Sequence, residues 1–144
     1  MSPTPLDRPA PREAGPELLV LQKWEELTSW LLDRTAGWPK CVRFTLTQRI
    51  EDHALDVTEM LVLARYDRRR RPRLLHEVNL RLERMRYLLR LARSRNATTR
   101  RSFEAALRGI DECGRMIHGW RQTLGKRPRS TLRSFPPANT AAAP

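Results

Sequence analysis

Cysteine is scarce in this chain. Cys41 and Cys113 are the only two, far apart in sequence, and no compact thiol motif can form from them. A disulfide scaffold and a Cys-based zinc module are excluded. Histidine is nearly as rare, with His53, His76 and His118 on separate segments. None of the six glycines falls in the pattern of a phosphate-cradling loop. No apolar run approaches the ~20 residues that a membrane span requires. The Pro-rich N-terminus lacks the apolar centre of a signal peptide, so the expected setting is cytoplasmic, with no membrane partner. At 144 residues the chain is expected to form one domain.

Acidic side chains are missing from one part only. Residues 1–64 hold 7 basic and 10 acidic groups, whereas residues 65–144 hold 21 basic and 6 acidic, giving nets of −3 and +15. Arginine supplies 25 of the 28 basic residues. Guanidinium forks bind phosphate through paired hydrogen bonds and stack on bases. A field this concentrated attracts a polyanion, and nucleic acid is the first candidate.

Residues 1–16 and 126–144 are rich in proline and poor in apolar side chains, which predicts two disordered tails around a folded region at 17–125. That region shows four segments of helical period and no strand alternation. The first runs from Glu17 to about Arg34, with Val20, Trp24, Leu27 and Leu31 at three-to-four spacing. The second is expected from Pro39 to Arg70, carrying Leu46, Ile50, Ala54, Val57, Leu61 and Ala64 on one face, with Pro72 ending it. The third, from Arg73 to about Arg95, has the stripe Leu75, Val78, Leu82, Met85, Leu89 and Ala92. The fourth is capped by Thr98 or Thr99 and closed by Gly125, with Phe103, Leu107, Ile110, Ile117 and Trp120 inward. Short connections force antiparallel neighbours, so the expected fold is all-α: an up-down-up-down antiparallel four-helix bundle. Surplus apolar residues on the first helix (Leu18, Leu19, Leu21, Leu32) and the third (Leu74, Leu80, Leu88, Leu91) predict a homo-oligomer.

Catalytic chemistry has little to stand on. His76 and Glu77 lack the second histidine of a helical zinc site, and no Glu-x-x-His pair suits a bundle-core metal centre. Glu51, Asp52, Asp56 and Glu59 fit the solvated face of the second helix. The expectation is no catalytic residue, no metal and no cofactor. The basic residues say more. Six of the nine residues from Arg65 to Arg73 are arginine: Arg65, Arg68, Arg69, Arg70, Arg71 and Arg73. A helix C-terminus favours one or two cations by roughly 0.3–1 kcal/mol, but not six. Arg81, Arg84, Arg86, Arg90 and Arg93 continue along the third helix. These eleven are the candidate nucleic-acid-binding residues. Tyr66 and Tyr87 lie within the rows, placed for packing at the core boundary or for stacking on bases, with packing favoured. No base-reading motif is present, so binding through backbone charge and shape is expected.

Two stretches carry a resemblance. One is Trp38-Pro39-Lys40-Cys41-Val42-Arg43-Phe44-Thr45-Leu46 followed by Arg49-Ile50. The other is Ile110-Asp111-Glu112-Cys113-Gly114-Arg115-Met116-Ile117-His118-Gly119-Trp120. Together with the basic turn near Tyr66 and Leu82-Glu83-Arg84-Met85-Arg86, they resemble the accessory variability determinant (Avd) proteins of diversity-generating retroelements. More distantly, they are similar to the four-helix-bundle proteins encoded in ribosomal RNA intervening sequences. The first resemblance implies a non-enzymatic, pentameric basic barrel. Such a barrel binds the retroelement's reverse transcriptase and its template-repeat RNA or cDNA in support of mutagenic cDNA synthesis. The second implies a structural bundle with an unknown partner. Phe44 is expected in the core, and Gly114 and Gly119 are expected where helices approach closely.

Overall fold

The structure is a computed structural model and describes residues 15–125. The tails expected at 1–16 and 126–144 lie outside the described residues, apart from Gly15 and Pro16. Four long helices account for most of the described residues: α1 (Pro16–Ala36), α2 (Gln48–Tyr66), α3 (Arg71–Ser94) and α4 (Arg100–Gly125). Among the described residues there is no strand, and no helix is long and apolar enough to cross a membrane. Pro16 occupies the first turn of α1, where its missing N–H costs nothing.

Cross-helix contacts fix the directions. Thr35 near the end of α1 meets Glu51 near the start of α2, while Trp24 meets Ala54 further along. Asp56 pairs with Arg81, and the end of α2 meets Arg71 at the start of α3. Arg86 meets Asp111, and Arg71 lies against Trp120 at the far end of α4. Lys23 and Glu112 join α1 to α4. Each neighbouring pair is antiparallel, which gives the up-down-up-down bundle.

The core follows the predicted stripes closely. Val20, Trp24 and Leu31 of α1, Ile50 through Ala64 of α2, and the six predicted residues of α3 are all buried. On α4 the buried set is Ala106, Ile110, Cys113, Ile117 and Trp120, with Phe103 and Leu107 only half-buried. Trp24 donates its indole N–H to the Ala54 carbonyl at 3.0 Å, so its polar atom is satisfied inside the core.

Four expectations need correction. The second helical segment does not start smoothly at Pro39. Lys40–Val42 is a 3-10 turn, Arg43–Thr47 is a π turn, and α-helix begins only at Gln48. The wide turn points Val42 and Thr47 inward and leaves Phe44 81% exposed, so Phe44 is not a core residue. At its other end α2 stops at Tyr66, not Arg70. Asp67 accepts a hydrogen bond from the Arg70 backbone N–H at 3.1 Å and turns the chain, and Pro72 sits in the first turn of α3 instead of ending α2. Gly119 has no neighbour within 4 Å of the place a Cβ would take, so it marks no close approach, and Gly114 allows ordinary contact. The glycine that needs its lack of a side chain is Gly109, where a Cβ would lie 2.6 Å from Leu27 Cδ1.

The connection from α3 to α4 is closed by a Schellman motif. Asn96 takes φ 58°, its N–H bonds to the Arg93 carbonyl and the Ala97 N–H to that of Ala92. Thr99 then caps α4, accepting from the Ser102 N–H at 3.1 Å. Gly125, expected as the closing cap, is the last residue of α4.

Candidate nucleic-acid interface

The arginine-rich turn lies where α2 passes into α3. Arg65 is on the last turn of α2, Arg68, Arg69 and Arg70 form the turn, and Arg71 and Arg73 open α3. Two of these six are engaged by the fold. Arg70 pairs with Asp67 at 2.6 Å, and this hydrogen bond holds the Asp67 carboxyl below its usual range. Arg71 donates from Nε to the Ala64 carbonyl at 2.6 Å and from Nη2 to the Arg65 carbonyl at 2.7 Å. It thereby satisfies carbonyls at the C-terminus of α2 that have no helical partner. Its guanidinium also lies 5.3 Å from the centre of the Trp120 ring, tying α4 to the same corner.

Arg65, Arg68, Arg69 and Arg73 have no carboxylate at ion-pair distance among the described residues. Arg68, Arg69 and Arg73 are exposed.

The row along α3 divides in the same way. Arg81 faces α2, bonding Asp56 at 2.8 Å, with His53 Nδ1 at 3.3 Å from the same nitrogen. A guanidinium only donates, so Nδ1 is the unprotonated nitrogen there. Burial first, then the Arg81 and Arg84 charges, lower the His53 pKa. The Arg81 Nε is buried and its nearest carboxylate oxygen, on Glu77, is 3.7 Å away, too far for a hydrogen bond. Arg86 faces α4 and is held by Glu83 at 2.8 Å and Asp111 at 2.9 Å. Arg84, Arg90 and Arg93 have no such partner among the described residues. The spacing of Arg86, Arg90 and Arg93 therefore does not make one free stripe, because Arg86 is drawn into the α3–α4 seam.

Tyr66 is 75% exposed and Tyr87 58%, so neither packs at the core boundary. Each ring lies beside a guanidinium, Arg65 at 5.4 Å and Arg90 at 5.0 Å. The surplus apolar surface lies partly where the sequence expectation put it, at Leu19, Leu80 and Leu91. Leu19 of α1 is exposed, but the larger share lies on α2 and α3, at Leu55, Val62, Leu63, Leu80 and Leu91. The exposed α2 residues are not expected from the sequence, because that helix carries one clean core stripe and a strongly acidic outer face. Leu55 and Val62, seven apart and outside the core stripe, carried the signal.

Chemically reactive groups are few. Cys113 is buried, and desolvation pushes its thiol up to about 12, while Cys41 is exposed. His76 and His118 are exposed. Among the described residues no three His, Cys, Asp or Glu side chains gather as a metal site. What the geometry offers is unneutralised guanidinium on an irregular all-helical surface.

No curated protein matches the chain. The model of the bAvd-like family matches residues 18–124, nearly the whole bundle, and the chain belongs to this family of accessory, non-catalytic proteins.

Proposed function

We propose that this protein is the accessory subunit of a diversity-generating retroelement. In this reading it binds the reverse transcriptase and the template-repeat RNA or its cDNA through a basic oligomeric surface, in support of mutagenic cDNA synthesis. The observation that carries it is that seven of the eleven candidate arginines have no carboxylate at ion-pair distance and cap no carbonyl among the described residues: Arg65, Arg68, Arg69, Arg73, Arg84, Arg90 and Arg93. In a family whose members serve a retroelement, unpaired charge of this density fits a phosphate backbone. Arg70, Arg71, Arg81 and Arg86 remain in the proposed surface with a second duty, since each also holds the fold.

The exposed apolar residues Leu55, Val62, Leu80 and Leu91 suit a contact between copies, and a ring of five is the proposed assembly. Glutamate at Arg68, Arg69, Arg73 and Arg84 together tests the reading. Template RNA should no longer be retained by the purified protein, while the helical circular-dichroism signal and the solution mass, about five times the 16.9 kDa of one chain, stay unchanged. RNA retained at wild-type strength by that variant sinks the assignment.

A further inference from the structure

The π turn builds a recess at the opposite end of the bundle from the arginine-rich turn. Its volume is about 510 Å³, and its lining includes Trp38, Arg43, Phe44, Thr47, Gln48 and Glu51. Three features set it apart. Phe44 stands 81% exposed beside it, although burying that ring in the core would have been favourable. The Thr47 hydroxyl on its wall is buried and has no hydrogen-bond partner, in a residue only 8% exposed. Such an orphan is costly, by about 1–3 kcal/mol, unless something else satisfies it. The backbone around both residues is π-helical, a costly irregularity that recurs at functional sites.

Charge around the recess indicates what fits. Arg43 lines the recess, and Lys40 and Arg49, close to its residues in sequence, are exposed; none of the three has a carboxylate at ion-pair distance among the described residues. Glu51, the carboxylate in the lining, accepts from the Thr35 hydroxyl at 2.6 Å. A phosphate placed inside would meet that carboxylate. A flat, uncharged ring with polar edges would instead meet the Phe44 and Trp38 rings and the Gln48 amide, with Arg43 at the wall for a flanking phosphate.

We propose that this recess takes a single unpaired nucleobase of a bound RNA strand, stacked on Phe44, with Lys40, Arg43 and Arg49 holding the flanking phosphates. The proposal rests on the nucleic-acid reading above but adds a site that the basic turn does not contain.

The test uses the full chain, two labelled probes and fluorescence anisotropy. One probe is an unstructured oligouridylate, the other an RNA hairpin of equal length closed by a non-nucleotide linker, so that no base is left unpaired. Base stacking is worth about 1–3 kcal/mol, so Phe44→Ala should weaken oligouridylate binding roughly 5- to 150-fold. Hairpin binding and the salt dependence should change little, because no cation is lost. Phe44→Trp should restore oligouridylate affinity. Equal binding of oligouridylate by Phe44→Ala and wild type overturns the recess while leaving the basic turn untouched. Loss of both probes from the arginine-to-glutamate variant, with Phe44→Ala normal, separates the two failures. A drop in solution mass on Phe44→Ala would make Phe44 a contact between copies, and that too overturns the proposal.

Discussion

Single arginines in this protein divide into those that hold the fold and those that do not, and neighbours in sequence fall on opposite sides. Arg71 makes two charge-assisted hydrogen bonds to the carbonyls of Ala64 and Arg65 and lies over Trp120. Arg68 and Arg69, three and two residues earlier, are exposed and make no ion pair among the described residues. Hydrogen bonds to charged groups contribute about 1.5–3 kcal/mol. Arg71→Ala should therefore destabilise the bundle by about 2 kcal/mol in urea unfolding, whereas Arg68→Ala should stay within about 0.5 kcal/mol, as surface changes do. For RNA affinity the order should reverse if both proteins are compared well below their unfolding midpoints. Equal loss of stability from the two substitutions would show that the cap at the end of α2 contributes nothing. Nothing in the run Arg65–Arg73 announces this division. It depends on which side chain the turn at Asp67 aims back at α2.

At the scale of the helix, sequence was a good guide wherever one periodic rule applied. The stripes on α2 and α3 needed only three-to-four spacing, and Ile50, Val57, Leu75 and Leu82 lie where that spacing puts them. Thr99 acts as a cap for the local reason that made threonine a candidate there. The errors arose where the answer depended on a facing element. A proline both ends a helix and begins one, and the Asp67 turn decided that Pro72 begins α3. Glycines inside α4 look alike in sequence, yet only at Gly109 would a Cβ come within 3 Å of a neighbour, Leu27 on α1. Glycine inside a helix costs about 1 kcal/mol relative to alanine when no contact depends on it. With open space around its Cα, Gly119→Ala should gain about that much and raise the melting temperature by roughly 4–8 °C. Gly109→Ala should show no such gain, because its Cβ would press on Leu27. A thermal melt of both variants checks the contrast, and an equal rise in both would mean that α1 and α4 are not packed tightly at Gly109.

The excess positive charge was legible as a count along the chain, but its three-dimensional arrangement was not. The two-part division of the sequence points to the α2–α3 turn and the row along α3. Folding gathers a second group at the other end, from segments far apart in sequence: Lys40, Arg43 and Arg49 with the π turn, and Arg93, Arg95 and Arg101 around the turn into α4. The antiparallel directions place these groups at opposite ends of α3, whose 24 residues at 1.5 Å each span about 36 Å. An unpaired strand long enough to cover that distance can release counterions at both ends, whereas a shorter one reaches only one. Each neutralised phosphate of a single strand contributes about 0.7 to the slope of log affinity against log salt. Glutamine at Arg68, Arg69 and Arg73 should lower the slope for a long strand by about 2, and glutamine at Lys40, Arg43 and Arg49 should lower it by about the same amount. The two losses should add, because the sites share no side chain. On a strand too short to span α3 each single loss should be small, since binding moves to whichever end keeps its cations, and the loss from both together should exceed their sum. Titrations at several salt concentrations, with long and short oligouridylate, measure both. If the distal triple variant leaves the long-strand slope unchanged, RNA is held at the α2–α3 end alone, and the bundle serves as a one-ended anchor instead of a rod along which the strand is laid.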